Sequence, residues 1–87
     1  MQLSTLYTFS DLRNAMEADR IVVVQDIAGQ DHGGFIREFT TGTGGVVTGY
    51  RLTSLRGYEV FLDLESTILE GTYDREDSQA VAEMVYG

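Results

Sequence analysis

The sequence predicts a single α+β domain over residues 1–87: an N-terminal helix, an antiparallel meander of three to four strands, and a C-terminal helix. Three observations carry this. The chain has 87 residues and 43% hydrophobic content, enough for one core and too apolar for a disordered segment. Helical periodicity is confined to the two ends, while the stretch between them is β-branched, punctuated by glycine and in places strictly alternating. The connections inside that stretch are short, which favours antiparallel neighbours over crossover units. Both helices are expected on one face of the sheet.

Residues 7–19 read as the first helix. Phe9, Leu12 and Met16 recur on one face with Ala15 beside them. Thr8 is the expected N-cap, with Asp11 completing a capping box and Tyr7 stapled against Leu12. Arg20 to Ile27 contains the run Ile21-Val22-Val23-Val24, which suits a strand covered on both faces. Residues 28–34 are polar and glycine-bearing and are expected to form a loop. Phe35 to Thr40 and Val46 to Thr53 are the next two strands, joined through the glycine-rich turn Thr41-Gly42-Thr43-Gly44-Gly45. Tyr58 to Glu65 is the clearest strand: Tyr58, Val60, Leu62 and Leu64 alternate with Glu59, Phe61, Asp63 and Glu65, so the first set should face the core. Residues 66–73 fit either a short edge strand or an ordered loop. Asp74 to Tyr86 closes the chain as a helix, with Asp74 as N-cap, Glu76 and Asp77 in the first turn, and Val81, Met84 and Val85 as the apolar stripe.

Absences narrow the chemistry. The sequence has no Cys, no Pro, no Trp and one His, and all six of its basic residues are Arg. Cys-ligated metals, disulfide frameworks, cysteine nucleophiles, a phosphate-binding P-loop and lysine Schiff-base chemistry are all excluded. The start of the chain shows no signal-peptide pattern, and the longest apolar run is far below the ~20 residues a membrane span needs. A soluble, cytoplasmic location is the expectation, with no membrane partner.

Charge is the most informative feature. The 14 acids against six arginines give a formal net charge of −8, and they are unevenly placed. Residues 1–56 carry six acids and five arginines, whereas residues 57–87 carry eight acids and Arg75 alone, a net of −7. A solvated acidic surface, or a salt-adapted source, accounts for such a bias without any partner. The asymmetry also suits a partner of opposite charge, and it argues against direct binding of DNA or RNA, whose phosphates need Lys and Arg.

The candidate catalytic features are thin. His32, beside Asp31 and six residues after Asp26, fits a general base oriented by a carboxylate, but the sequence offers no nucleophile to pair with it. A loop histidine is the simpler reading. Asp63 and Glu65 share one strand face at ~6–7 Å, a spacing that could hold a divalent cation or a hydrolase pair, yet a solvated strand face supplies neither a pocket nor a raised pKa. No catalytic residue, metal or cofactor is therefore expected.

The outer face of the fourth strand is the better candidate. It sets Phe61 among Glu59, Asp63 and Glu65, an apolar anchor rimmed by charge. The competing expectation is that Phe61 is buried, with Arg37 and Arg51 pairing the carboxylates. Glu70, Asp74, Glu76 and Asp77 would extend the row into one negative surface that mimics nucleic-acid phosphates. In size and charge, though through no aligned residue, the chain resembles the small acidic inhibitors of phages and mobile elements, anti-CRISPR and anti-restriction proteins among them. That resemblance implies a non-enzymatic viral inhibitor occupying the basic surface of a nucleic-acid-handling complex, as monomer or homodimer. The alternative is a small assembly subunit that self-associates through a strand edge, either residues 67–73 or the first strand.

Overall fold

The computed structural model describes the backbone of residues 2–87 and the side chains of residues 9–87. The order is α1 (Gln2–Glu17), β1 (Ile21–Gln25), β2 (Asp31–Thr41), β3 (Val47–Ser54), β4 (Glu59–Asp63), β5 (Ile68–Tyr73) and α2 (Ser78–Tyr86), with single 3-10 turns at Thr43–Gly45 and Arg75–Asp77. The α+β class and the two terminal helices are as expected, but the antiparallel sheet has five strands. Its order is β4-β3-β2-β1-β5: the first four strands form the meander, and β5 returns to pair with β1. Residues 68–73 are thus a strand.

Helix α1 starts earlier than expected, at Gln2, so its backbone passes through Thr8 without a break. The contacts of the Thr8 cap and the Tyr7–Leu12 staple lie outside the described residues. The predicted apolar face holds: Leu12 and Ala15 are buried, and Phe9 and Met16 pack against the same core. The helix closes through Asp19 in the left-handed region at φ 56°, where Asp19 N–H bonds the Met16 carbonyl and Arg20 N–H bonds the Ala15 carbonyl. A short polar side chain tolerates that conformation better than most.

The two helices lie on opposite faces of the sheet, which corrects the one-face expectation. Val22 and Val24 of β1 join the core built on Leu12 and Ala15, whereas Ile21 and Val23 join a smaller cluster with Val81 of α2. Alternate residues of a strand point to opposite faces, so a four-residue apolar run requires cover on both. In α2 the inward residues are Val81 and Val85; Met84, expected in the stripe, is exposed. Asp74 does not cap with its side chain, because its carboxylate pairs with Arg20.

Strand β2 organises the sheet. Its first residues, 31–34, pair with β1, and residues 34–41 pair with β3. A straight β2 would separate Asp31 from Thr40 by about 30 Å. Yet β4 ends beside the Thr40 side of the sheet and β5 begins beside the Asp31 side, and the link between them, residues 64–67, reaches at most about 18 Å. The sheet must therefore curl. The register shift between Ile36 and Glu38 and the glycines at 33 and 34 provide the bend. A Cβ on Gly34 would lie 2.0 Å from the Thr53 carbonyl oxygen, so only glycine lets β2 and β3 approach there. This is why residues 31–34, expected in a loop, belong to the strand.

The link from β4 to β5 is tied to the core by Tyr50, which is fully buried. The Tyr50 hydroxyl donates to Thr67 Oγ1 at 2.9 Å, and Thr67 Oγ1 donates to the Asp63 carbonyl at 3.0 Å. Burial pushes the Tyr50 phenol up to about 12, with the Thr67 contact pulling the other way. Among the described residues no helix is long and apolar enough to cross a membrane.

Candidate functional site

Strand β4 lies at one edge of the sheet and carries the residues of interest on alternate positions. Val60 packs against the core and Leu62 is buried in it, while Glu59, Phe61 and Asp63 turn outward. Phe61 is 68% exposed, so the reading that buried it does not hold. Tyr58, expected in the core, is 43% exposed and instead meets the ring of Tyr86 edge to face at 6.3 Å. Leu64 continues the inward set, and Glu65 is exposed just beyond the strand.

Asp63 and Glu65 line a groove of about 500 Å³ with Val46, Val47, Thr48 and Ser66. Val46 is exposed, so this groove has one apolar wall and one wall bearing two carboxylates. Neither Asp63 nor Glu65 has an ion-pair partner among the described residues. Glu59 shares Arg51 with Glu38: Arg51 reaches Glu59 Oε2 at 2.9 Å and Glu38 Oε2 at 3.1 Å. The hydrogen bond to Glu38 and the two carboxylate charges hold the Arg51 guanidinium more firmly protonated than usual, against the effect of burial.

Strand order places β5, which carries Glu70, at the opposite edge of the sheet from β4, and Asp74, Glu76 and Asp77 follow it in the turn before α2. Glu70 has its carboxyl pushed up by desolvation and by a hydrogen bond and charge repulsion from Asp31. Asp74 pairs with Arg20, and together with Glu76 these residues line a shallow groove that also includes Asp19 and Arg75. Asp77 sits in the 3-10 turn, donating its backbone N–H to the Asp74 carbonyl.

Each of the six arginines is engaged within the chain. Arg20, Arg51 and Arg75 pair with carboxylates, and Arg13, Arg37 and Arg56 lie over the rings of Phe9, Phe35 and Tyr86. Arg75 also lies over Phe35, at 5.8 Å from the ring centroid. The positive charge is thus tied to specific neighbours, while several carboxylates, Asp63 and Glu65 included, have no ion-pair partner among the described residues.

His32 serves the β1–β2 turn. It is 7% exposed, and its Nε2 lies 2.9 Å from Asp26 Oδ2. Asp26 also accepts the backbone N–H groups of Ala28 and Gln30, each at 2.9 Å. The hydrogen bond from His32, followed by that from Gln30, draws the Asp26 carboxyl below its ordinary pKa. The orienting carboxylate is therefore Asp26, with Asp31 outside the pair. His32 Nδ1 is buried without a partner among the described residues. Among the described residues, no three His, Asp or Glu side chains converge to hold a metal ion.

No protein-family model, no curated protein and no solved structure matches this chain.

Arg51, named from the sequence with Arg37 as a partner for these carboxylates, does pair with Glu59, whereas Arg37 lies over the Phe35 ring and bonds Thr53 Oγ1. Sequence reasoning missed the groove wall of Val46 and Val47, which the sequence shows only as the start of a strand.

Proposed function

We propose that this is a non-catalytic protein-binding domain that uses the β4 face, with Glu59, Phe61, Asp63 and Glu65 at its centre, to occupy the basic surface of a nucleic-acid-handling partner. The observation that carries this reading is Phe61: a large ring held 68% exposed on a regular strand, between carboxylates and beside a groove with two unpaired ones. Desolvation of the ring supplies affinity, and the carboxylates supply steering and choice of partner. The internal engagement of all six arginines supports the same assignment, because it leaves the outward field to the acids. Glu70, Asp74, Glu76 and Asp77 form a second, more compensated acidic edge that adds long-range attraction.

The test is competition. The tagged protein is used to capture its partner from a lysate at low salt, and the purified partner is then challenged with double-stranded DNA or RNA. Capture that is released by salt and displaced by nucleic acid is the expected result. The double reversal Asp63→Arg with Glu65→Arg should weaken binding at least ~10-fold, in line with the ~1.5 kcal/mol or more of a close interfacial charge pair. Unchanged affinity in that variant overturns the reading.

Self-association through a strand edge is the second reading, favoured by the two unpaired edges, β4 and β5. Strand β1, one of the edges anticipated from the sequence, is interior to the sheet and unavailable. A dimer that persists on dilution, with β4 amides protected in it, would favour this alternative.

A further inference from the structure

The two edges of the sheet are not equivalent. The β1–β5 register shifts between Val23 and Val24, leaving Glu70 as an extra residue on the edge strand. Such a bulge breaks the regular spacing an added strand would need. Strand β4, by contrast, pairs with β3 through five consecutive residues without a shift.

The direction of the β4 backbone groups follows from two hydrogen bonds. Ser54 N–H donates to the Tyr58 carbonyl at 2.8 Å, and Leu64 N–H donates to the Thr48 carbonyl at 2.9 Å. In an antiparallel ladder, successive residues turn their N–H and C=O groups alternately toward and away from the neighbouring strand. Even-numbered residues of this segment therefore face β3, and Glu59, Phe61 and Asp63 point their backbone donors and acceptors away from the sheet. These are the same three residues whose side chains stand exposed on the outer face. A docking strand would meet backbone and side-chain recognition at one set of positions.

We infer that the partner contributes an extended basic segment that adds to the β4 edge as a sixth strand, an inference that rests on the β4 face being the binding face. The register dictates its pattern. Positions opposite Glu59 and Asp63 take cations, the position opposite Phe61 takes an apolar or aromatic residue, and the two intervening positions, beside Val60 and Leu62, take apolar residues. A second copy of this chain fits poorly. Antiparallel β4–β4 pairing centred on Phe61 sets Glu59 of each copy opposite Asp63 of the other, like charge on like charge. The chain has no Lys, and its arginines are already engaged.

The experiment uses a blocked synthetic peptide containing Arg-Val-Tyr-Val-Arg, titrated into the isotopically labelled protein, with amide hydrogen exchange read residue by residue. Binding should slow exchange at Glu59, Phe61 and Asp63 by at least tenfold and leave Val60 and Leu62, already bonded to β3, little changed. A peptide with both Arg replaced by Glu should not bind. Phe61→Ala and Phe61→Pro both remove the ring, but only Pro removes the outward N–H, and an edge position tolerates it. Phe61→Pro should therefore bind at least tenfold more weakly than Phe61→Ala, with Val60 and Leu62 protection confirming an intact β3–β4 pair.

Equal binding by the two Phe61 variants, or binding without protection of the three outward amides, overturns strand addition while leaving the binding face in place. Absence of peptide binding at millimolar concentration also overturns it. Protection that rises with protein concentration in the absence of peptide overturns it in favour of self-pairing. Failure of the binding face itself is a separate outcome, read from partner binding by the Asp63→Arg, Glu65→Arg variant.

Discussion

Tyr50→Phe tests the link that lets the sheet curl. The substitution removes one hydroxyl, whose partner Thr67 Oγ1 keeps its bond to the Asp63 carbonyl. At pH 8 the loss should be about 1 kcal/mol, the usual net worth of such a bond. The gap should then close with rising pH. A phenol is neutral when protonated, and Tyr50 is held at about 12 when folded against 10.0 as its ordinary value. The folded state therefore keeps this proton after the unfolded chain has lost it. The stability this gives is fully present below pH 10 and is lost as pH rises through about 12. The wild type should lose about 1.4 kcal/mol of it by pH 11, and approach ~3 kcal/mol above pH 12. Tyr50→Phe lacks this loss, so the two stability curves should meet near pH 11. Urea unfolding at pH 8, 10 and 11 measures both. Tyr86, also raised by burial, titrates in both proteins and does not affect the comparison. A gap that stays near 1 kcal/mol from pH 8 to pH 11 would refute the reasoning.

Gly34→Ala should be severely destabilising, by roughly 3 kcal/mol or more, because the new Cβ meets the Thr53 carbonyl oxygen and the Ser54 Cα, both backbone. Gly29→Ala, at φ +84° with open space around it, should cost only about 1 kcal/mol; thermal melts of the two variants check the contrast. Neutralising the edge with Glu59→Gln and Asp63→Asn should allow β4 edges to pair, so the double variant should dimerise at concentrations where the wild type sediments as a monomer. Identical sedimentation of both would show that these charges do not guard the edge.

The sequence carried much of the fold because local signals and tertiary demands agree over most of the chain. The Val60-Leu62-Leu64 alternation, the Leu12-Ala15 face and the Val81-Val85 stripe each report which side must be buried. The errors arise where a residue type serves two purposes. Gly33 and Gly34 look like loop residues, yet they are glycine because two strands approach closely at a bend. In Ile68-Leu69-Glu70-Gly71 the alternation is interrupted by a bulge, so an actual strand loses its period-two signature. The β1 run already required cover on both faces, and that demand conflicts with placing both helices on one. Composition does not reveal the conflict, but the run itself does.

The proposed binding face divides along the same line. That Glu59, Phe61 and Asp63 share a face follows from strand periodicity, so it is legible in one dimension. Whether Glu70 and Asp74 join them depends on strand order, which requires knowing that β5 returns beside β1. The position of Arg51 opposite Phe61 depends on register. Register also determines that the outward side chains and the outward backbone groups belong to the same residues. A sequence can show which residues are exposed together; only the pairing of strands shows that Phe61 offers a ring and a free peptide group in one place. If β4 accepts a partner strand as proposed, that coincidence is what separates a merely acidic surface, able to attract many cations weakly, from an edge that selects an extended segment by its backbone and by the spacing of its charges.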